Sequence, residues 1–322
     1  MVYSVTIDFN CFFDRLNDCW GTRLLLPNGA VIKFWNCMIK YVNSNDTHYL
    51  SINSDQKQNI KECLILISFF TTLPLSALEF KFEEIDEISV QKQLENSSVT
   101  EWIEKLSKIE NSLRRRVNNK HRDEILSLMQ MCSIGALHEY SDHHEEQFFM
   151  YFKPIERVAK LKLDKAKILT GSSSKARKEK TKKFLKDLFE SNFNNTVFDQ
   201  VSIDQLAGKL NSTLENSLER KNHRRIVLAL SSITNNLNND NSTKVKLRKI
   251  SSDKVKQLVE IRNDIAHGNK VIVKSENLGV DYLGEVEYLS RQFITLTFLD
   301  VNFEQVYLNS KKFGEDFWGD KL

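Results

Sequence analysis

Residues 253–268 read DKVKQLVEIRNDIAHG, a run without proline whose single glycine stands at its end. Ser251 and Ser252 precede it as N-cap candidates, and Gly268 occupies a place where helices often end in a left-handed residue. Successive residues turn by about 100°, which gathers the apolar side chains on one flank and places Arg262 near its middle. The stretch predicts one helix of about four turns that directs a guanidinium towards a partner surface. Its apolar flank comprises Val255, Leu258, Val259, Ile265 and Ala266.

Three polar residues of this helix have two interpretations. Asn263 and His267 lie one turn apart at the edge of the flank, whereas Arg262 and His267 are well separated around the helix axis. In the structural interpretation, Arg262 pairs with a carboxylate at an interface and His267 complements the helix dipole. In the functional interpretation, the arginine and the histidine act together, which requires them to flank a groove or to meet across a pair of helices.

The order Arg262-Asn263, three further residues, then His267-Gly268 resembles the signature of the HEPN superfamily, whose nuclease members carry arginine, a polar residue and histidine at a short fixed spacing. The resemblance covers the chain from residue 141 to the C-terminus. It implies an up-and-down helical bundle in which two copies of the motif helix face each other in a homodimer. On that view the apolar flank is the dimer interface, and the groove between two copies collects both arginines and both histidines.

A second segment agrees with this resemblance. EEQFFMYFKPIERVAKL, at residues 145–161, is similar to the aromatic-rich opening helix of ApeA-like HEPN domains from prokaryotic defence proteins. Pro154 departs from the family pattern, because proline removes a backbone donor and clashes with the preceding turn. The sequence therefore predicts a kink at this position or the start of a new helix.

The resemblance also implies a metal-independent endoribonuclease with Arg262, Asn263 and His267 as its catalytic residues. RNA supplies its own nucleophile, the 2′-OH, so the protein needs only to move protons and to stabilise charge in the transition state. Arg262 would hold the scissile phosphate, His267 would act as acid or base, and Asn263 would orient the imidazole or a phosphate oxygen. We expect no metal and no cofactor.

Composition predicts more than one domain. The chain has 322 residues, of which 41% are apolar, and this is enough for a sizeable core. Only 3 prolines and 10 glycines favour long helices over a turn-rich β architecture. We predict an α+β fold that is mostly α-helical, with an N-terminal α/β module at 1–97 that senses a trigger or binds a partner. A helical connector at 98–140 and the HEPN-like helical domain at 141–322 follow.

Strand-like runs fill the N-terminal module. GTRLLLPNGAVIKFW carries Pro27-Asn28-Gly29 between two apolar stretches, which predicts a hairpin. YSVTIDF, THYLSIN and EFKFEEIDEISV predict further strands. For SDQKQNIKECLILISFF, at residues 54–70, periodicity does not decide between a helix and a buried strand. From Ser98 the pattern becomes helical, and one apolar stripe contains Trp102, Leu106, Ile109 and Leu113.

A dense basic run follows the turn LTGSSS at residues 169–174. Lysines and arginines at this density gain affinity for RNA by releasing counterions from the phosphate backbone; the alternative is a solvated loop with an exposed helix start. The net charge of the chain is only +3, so the basic charge is segregated into the C-terminal half. The predicted RNA-binding residues are Lys175, Arg177, Lys178, Lys180, Lys182 and Lys183.

Other chemistries fit the pattern less well. The five cysteines form no close pairs, which argues against a disulfide framework or a zinc cluster. HEYSDHHEE, at residues 138–146, lacks the HExxH spacing and favours a solvated turn over a metal site. The sequence contains no Gly-rich phosphate loop. CLILISFFTTLPL, at residues 63–75, is too short to span a bilayer, so we expect a soluble cytoplasmic protein without membrane contacts.

Two functional hypotheses remain. The first is a dimeric HEPN-type endoribonuclease that acts in antiviral defence by abortive infection or as a toxin. Its partners would be RNA, such as tRNA or another structured RNA, and an antitoxin or a phage-derived trigger. The second is a non-catalytic HEPN-like module, in which the same residues form an interface and the basic run binds nucleic acid or an acidic partner. We prefer the first, because arginine, asparagine and histidine together exceed what packing needs.

Overall fold

The structure, a computed structural model, describes residues 2–8, 28–44, 47–85, 97–116, 119–139, 143–166, 252–275 and 280–308, with isolated positions between 179 and 229. The described N-terminal strands are β1 (Val2–Asp8), β2 (Val31–Phe34), β3 (Cys37–Ser44), β4 (Thr47–Ser54) and β5 (Glu83–Ile85). They form one antiparallel sheet in the order β2-β3-β4-β1-β5.

Helices make up most of the remaining described chain. They are α1 (Lys57–Thr71), α2 (Ser97–Arg116), α3 (Asn119–Glu139), α4 (His144–Ala166), α5 (Ser252–Ala266), α6 (Tyr282–Phe298) and α7 (Phe303–Val306). A 3₁₀ turn, Leu75–Ala77, follows α1, and a short pair of strands, β6 (Lys274–Ser275) and β7 (Val280–Asp281), lies between α5 and α6. The predicted α+β class is confirmed.

The tip of the β2–β3 hairpin is formed by Trp35 and Asn36. Their φ angles of 53° and 56° are both positive, as a two-residue turn of type I′ requires. The first arm of the hairpin predicted at Pro27-Asn28-Gly29 lies outside the described residues. Gly29 itself has φ 77°, and its N–H donates to the carbonyl oxygen of Tyr41 at 2.9 Å. This glycine therefore turns the chain into β2, beside β3.

Trp35 anchors the hairpin tip on the helices. Its indole N–H donates to the Glu62 carboxylate of α1 at 2.7 Å, and the same carboxylate forms an ion pair with Arg122 of α3. The guanidinium groups of Arg114 and Arg122 lie 5.2 and 4.8 Å from the ring centroid of Trp35. Cation–π contact and one buried acceptor thus hold an otherwise costly pair of left-handed residues in place.

Residues 57–71, where periodicity left helix and strand open, form helix α1. The helix packs on the sheet through β3 and β4 and on helix α3. From Ile60 onwards nearly all of its side chains are buried, including Glu62 and Ser68. Burial on several sides removes the alternation between apolar and polar residues, and this explains why the sequence pattern was uninformative.

The helices after residue 97 follow the sequence pattern more closely. The predicted stripe of α2 is confirmed, since Trp102, Leu106, Ile109 and Leu113 are all buried. Pro154 lies inside α4, which continues as one helix on both sides of it, so no new helix begins there. Helix α4 packs against α3, α5 and α6, and it is the central helix of this part of the molecule.

Arg291 of α6 joins the helical part to the end of α1. Its side chain is fully buried, its Nη1 donates to the carbonyl oxygen of Phe69, and its Nε and Nη2 lie 3.1 and 3.0 Å from Oε1 of Glu287. Three rings surround the guanidinium, with centroids 5.1 to 5.9 Å away; they belong to Phe69, Phe303 and Tyr151. Burial is the largest single influence and disfavours the charged form, but Glu287, together with Cys132, Tyr151 and Tyr307, opposes it, and the pKa of Arg291 is raised.

Buried side chains form one continuous cluster from the sheet through α1 and α3 to α6. Helix α2 begins at Ser97, and α3 and α4 are separated by residues 140–143, close to the proposed limits of the three domains. The division into domains at these limits stays a prediction. Among the described helices, none has a stretch that is both long enough and apolar enough to cross a bilayer.

Candidate functional site

Helix α5 ends as its sequence predicts. Gly268 has φ 74°, its N–H donates to the carbonyl oxygen of Ile265 at 3.0 Å, and the N–H of Asn269 donates to that of Asp264 at 2.9 Å. These two bonds define a Schellman motif, which satisfies carbonyl groups that the helix end would otherwise leave open. The N–H of His267 donates to the carbonyl oxygens of Asn263 and Asp264 at 3.0 and 3.1 Å. The backbone that carries His267 is therefore fixed by local bonds.

The buried flank of α5 differs in two residues from the prediction. Val255, Leu258 and Val259 are buried as expected, Ile265 is partly buried against the core, and Ile261 joins them, but Ala266 is exposed. The flank is covered within a single chain, where α5 packs on α4. Side chains that one chain already buries are not available to a second copy, so the buried part of this flank does not support the dimer interface that the resemblance implied. The homodimer stays a prediction, and a dimer through α5 would use its exposed face.

Arg262 lies at the edge of that flank and reaches across to α4. Its Nε lies 3.3 Å from Oε1 of Glu156, and its Nη2 donates to Oε2 of the same residue at 3.3 Å. Its Nη1 donates to Oδ1 of Asn263 at 3.3 Å, and its guanidinium lies 5.5 Å from the ring centroid of Phe149. The side chain of Arg262 is 28% exposed. The carboxylate partner of the structural interpretation is thus present, and part of the Arg262 side chain remains accessible to solvent.

Asn263 and His267 are both exposed. Asn263 is joined to Arg262 by the bond between its side-chain oxygen and Nη1. No contact joins His267 to Arg262 among the described residues, so one chain brings two of the three predicted catalytic side chains together and leaves the third on the open end of the helix. This placement agrees with the angular separation that the sequence predicts.

Sequence analysis missed Phe149 and Glu156 as site residues. They are seven positions apart in α4, which is about two helical turns, so they lie on the same face. Lys153 lies between them on that face, exposed, with its Nζ 5.1 Å from the Phe149 ring centroid. An acidic residue one or two turns from an aromatic residue on the same helix face was visible in EEQFFMYFKPIERVAKL. The sequence does not, however, predict which helix packs against this face of α4.

The predicted RNA-binding run falls largely outside the described residues. Lys183 is described and exposed, in helical backbone. The other members of the set, Lys175, Arg177, Lys178, Lys180 and Lys182, lie outside the described residues. The assignment of this run to RNA binding stays a prediction.

The described residues hold no cluster of histidine, cysteine or acidic side chains suited to a metal ion. In the segment HEYSDHHEE, the rings of His138 and His143 lie 6.0 Å apart. Cys37, Cys63 and Cys132 are buried as free thiols. Burial raises the pKa of Cys132 to about 11 and raises that of Cys63 as well. The thiols of Cys63 and Cys132 are therefore protonated at neutral pH and poorly suited to act as nucleophiles or metal ligands.

Helix α5 thus presents a partly exposed arginine, an asparagine bonded to it and an exposed histidine near its C-terminal end. Such an arrangement can bind a phosphate through the arginine and exchange a proton through the histidine. No protein-family model, no curated protein sequence and no solved structure matches the chain.

Proposed function

We propose that the chain is a metal-independent endoribonuclease of HEPN type, with residues 141–322 forming the HEPN-like helical bundle. The observation that carries this proposal is the end of α5, where Asn263 and His267 are exposed and Arg262 keeps 28% of its side chain accessible. The order Arg262-Asn263…His267-Gly268 thus lies on a helix end that the described residues leave accessible. Polar side chains are usually exposed, so this exposure supports the proposal only together with the order of the residues.

The reaction follows from these three side chains. Arg262 binds the non-bridging oxygens of the scissile phosphate through its planar fork of donors. The 2′-oxygen of the RNA attacks phosphorus and forms a new 2′-O–P bond, while the bond between phosphorus and the 5′-oxygen breaks. His267 donates a proton to the leaving 5′-oxygen, and the proton of the 2′-OH passes to water. The products are a 2′,3′-cyclic phosphate and a free 5′-OH.

The proposal includes a cytoplasmic homodimer. Because Arg262 and His267 of one chain make no mutual contact, a second copy that faces the exposed side of α5 would bring additional donors to the same phosphate. A role in antiviral defence or as a toxin, RNA such as tRNA as substrate, and an antitoxin or phage-derived trigger belong to the same proposal. The N-terminal sheet would act as the sensor or partner-binding module.

One observation favours the second hypothesis, a non-catalytic module. Arg262 already has a carboxylate and an aromatic partner within its own chain, and this is what an arginine with a purely structural role requires. In that case the exposed Asn263 and His267 would contribute to binding and not to cleavage.

Incubation of the purified protein with total cellular RNA in EDTA separates the two hypotheses. We expect cleavage that leaves 2′,3′-cyclic phosphate ends. His267→Ala and Arg262→Ala should each lower the rate by roughly a hundredfold or more, the usual scale for losing a positioned proton donor or a transition-state contact. Asn263→Ala should cost less, because water can replace an orienting contact.

The matched control is Arg157→Ala. Arg157 is also an arginine that pairs with a glutamate of another helix, since its Nη2 lies 2.9 Å from Oε1 of Glu124, but it lies outside the motif. This variant should keep wild-type activity. If His267→Ala cuts RNA as fast as the wild type, the nuclease proposal is wrong and the binding module is favoured.

A further inference from the structure

Glu156 occupies one edge of the Arg262 guanidinium and leaves another edge open. The carboxylate lies beside Nε and Nη2: Oε2 accepts from Nη2 at 3.3 Å, and Oε1 lies 3.3 Å from Nε without a hydrogen bond to it. A guanidinium carries five N–H donors, and the end formed by Nη1 and Nη2 is a second edge that can bind two oxygens at once. At this end, Nη1 donates to the side-chain oxygen of Asn263. Among the described residues, no carboxylate contacts Nη1 and Nη2 of Arg262 at the same time.

Three contacts define where the open edge points. Glu156 fixes the side-on edge from α4, Asn263 holds Nη1 from α5, and the ring of Phe149 lies 5.5 Å from the guanidinium. An arginine side chain loses rotamer entropy when it is ordered. Contacts that order it in the free protein remove this cost from the binding step, and a planar fork must be ordered before it can match two phosphate oxygens.

We propose that Glu156 is a positioning residue, which fixes the side-on edge of Arg262 so that its Nη1/Nη2 end faces the scissile phosphate of RNA. The inference rests on the proposed function and assigns a role to α4 in the same site. Glu156 does not touch the substrate, because its carboxylate would repel a phosphate. Its effect on catalysis is through the orientation of Arg262.

The pair between Glu156 and Arg262 adds little to the stability of the fold. Both side chains are partly exposed, at 25% and 28%, and ion pairs of this kind contribute little to stability. The same helix supplies a matched pair, Arg157 with Glu124, at 2.9 Å and with exposed fractions of 55% and 26%. Loss of either pair should therefore change stability by a similar small amount, and only one of them should change catalysis.

The test compares Glu156→Gln with Glu124→Gln in steady-state cleavage of a short RNA, with EDTA present. Glutamine keeps one acceptor oxygen but loses the charge and the two-oxygen contact. We expect Glu156→Gln to lower kcat by roughly tenfold to a hundredfold, the scale of a small misplacement of a catalytic group, with a smaller change in KM. Glu124→Gln should keep both wild-type values. In an Arg262→Lys background, which lacks the fork, Glu156→Gln should have no further effect.

Two results would overturn the inference. One is a Glu156→Gln enzyme with wild-type or higher kcat, and the other is an equal loss in Glu124→Gln, which would indicate a general effect on the helices. His267→Ala in the same assay separates this from the proposed function. An inactive His267→Ala beside a fully active Glu156→Gln removes only the role of Glu156. A wild type that does not cleave, or a His267→Ala variant that cleaves equally well, removes the nuclease and the role of Glu156 together.

Discussion

Helix α4 lies between two arginines that each pair with a glutamate and lie against an aromatic ring of α4, but that are buried to different degrees. Arg291 of α6 pairs with Glu287 and rests on Tyr151; Arg262 of α5 pairs with Glu156 and rests on Phe149. Phe149 and Tyr151 are two residues apart, so their side chains leave α4 about 200° apart, on opposite sides. Arg291 has no exposed side-chain area, whereas Arg262 has 28%.

The difference indicates that burial, and not the type of contact, decides how strongly the fold depends on each arginine. A charge inside the core is costly to leave without its partner, so the inner pair is required by the fold once it is there. A charge at the surface is solvated whether or not its partner is present, so the outer pair is nearly dispensable for folding. Arg262 is therefore free to exchange part of its contacts for a phosphate, and Arg291 is not.

The largest effect is expected for Arg291→Met, which leaves the Glu287 carboxylate in the core without a cation. We predict a loss of about 3–5 kcal/mol in the free energy of unfolding, measured by urea denaturation. Arg291→Met combined with Glu287→Leu should recover a substantial part of this loss, because both charges are then gone. A single variant within about 1 kcal/mol of wild type, the range of surface pairs, would show that the inner pair is not different in kind from the outer one.

Local features of both regions could be predicted from sequence, and long-range ones could not. The end of α5 at Gly268 and the stripe of α2 depend on neighbouring residues, and both are confirmed. The partner of Arg262, in contrast, is 106 positions away, and only the packing of α5 on α4 brings Glu156 to it. The same packing covers the flank that the resemblance assigned to a dimer. Helix α1 could not be distinguished from a strand because it is buried on several sides by the sheet and by α3. Its apolar residues therefore follow neither a helical nor a strand period.

Glu285 of α6 and Lys254 of α5 form an ion pair whose exposure lies between that of the Arg291 pair and that of the Arg262 pair. The side chain of Glu285 is buried, that of Lys254 is 27% exposed, and burial raises the pKa of Glu285 despite the stabilising effect of the lysine on the carboxylate. The folded state therefore holds this proton more tightly than the unfolded state. The contribution of Glu285 to the free energy of unfolding should therefore fall as pH rises from the ordinary value of 4.5 through its raised pKa. Above that pKa the contribution should be constant.

Glu285→Gln has no carboxyl proton to lose and should lack this contribution. The measurement is urea denaturation of both proteins at several pH values from 4.5 upwards, and the difference between them isolates Glu285 from other titrating groups. We expect the variant to gain stability relative to wild type as pH rises through the window. A difference that is the same at every pH would mean that Lys254 compensates fully for burial, and that this pair behaves like the exposed one.

The smallest change in stability is expected for Arg262→Met. It gives the most direct test of whether Arg262 and Arg291 differ in their importance for folding. Arg262→Met keeps an unbranched apolar chain against Phe149 and removes only the charge and the donors. Because Glu156 is 25% exposed and can be solvated without its partner, we predict a change of about 0–1 kcal/mol in the free energy of unfolding, measured by urea denaturation beside Arg291→Met. RNA cleavage by Arg262→Met should nevertheless be lost. A loss of stability that equals that of Arg291→Met would instead make Arg262 a structural residue, and the inactivity of its variants would then say nothing about phosphate binding.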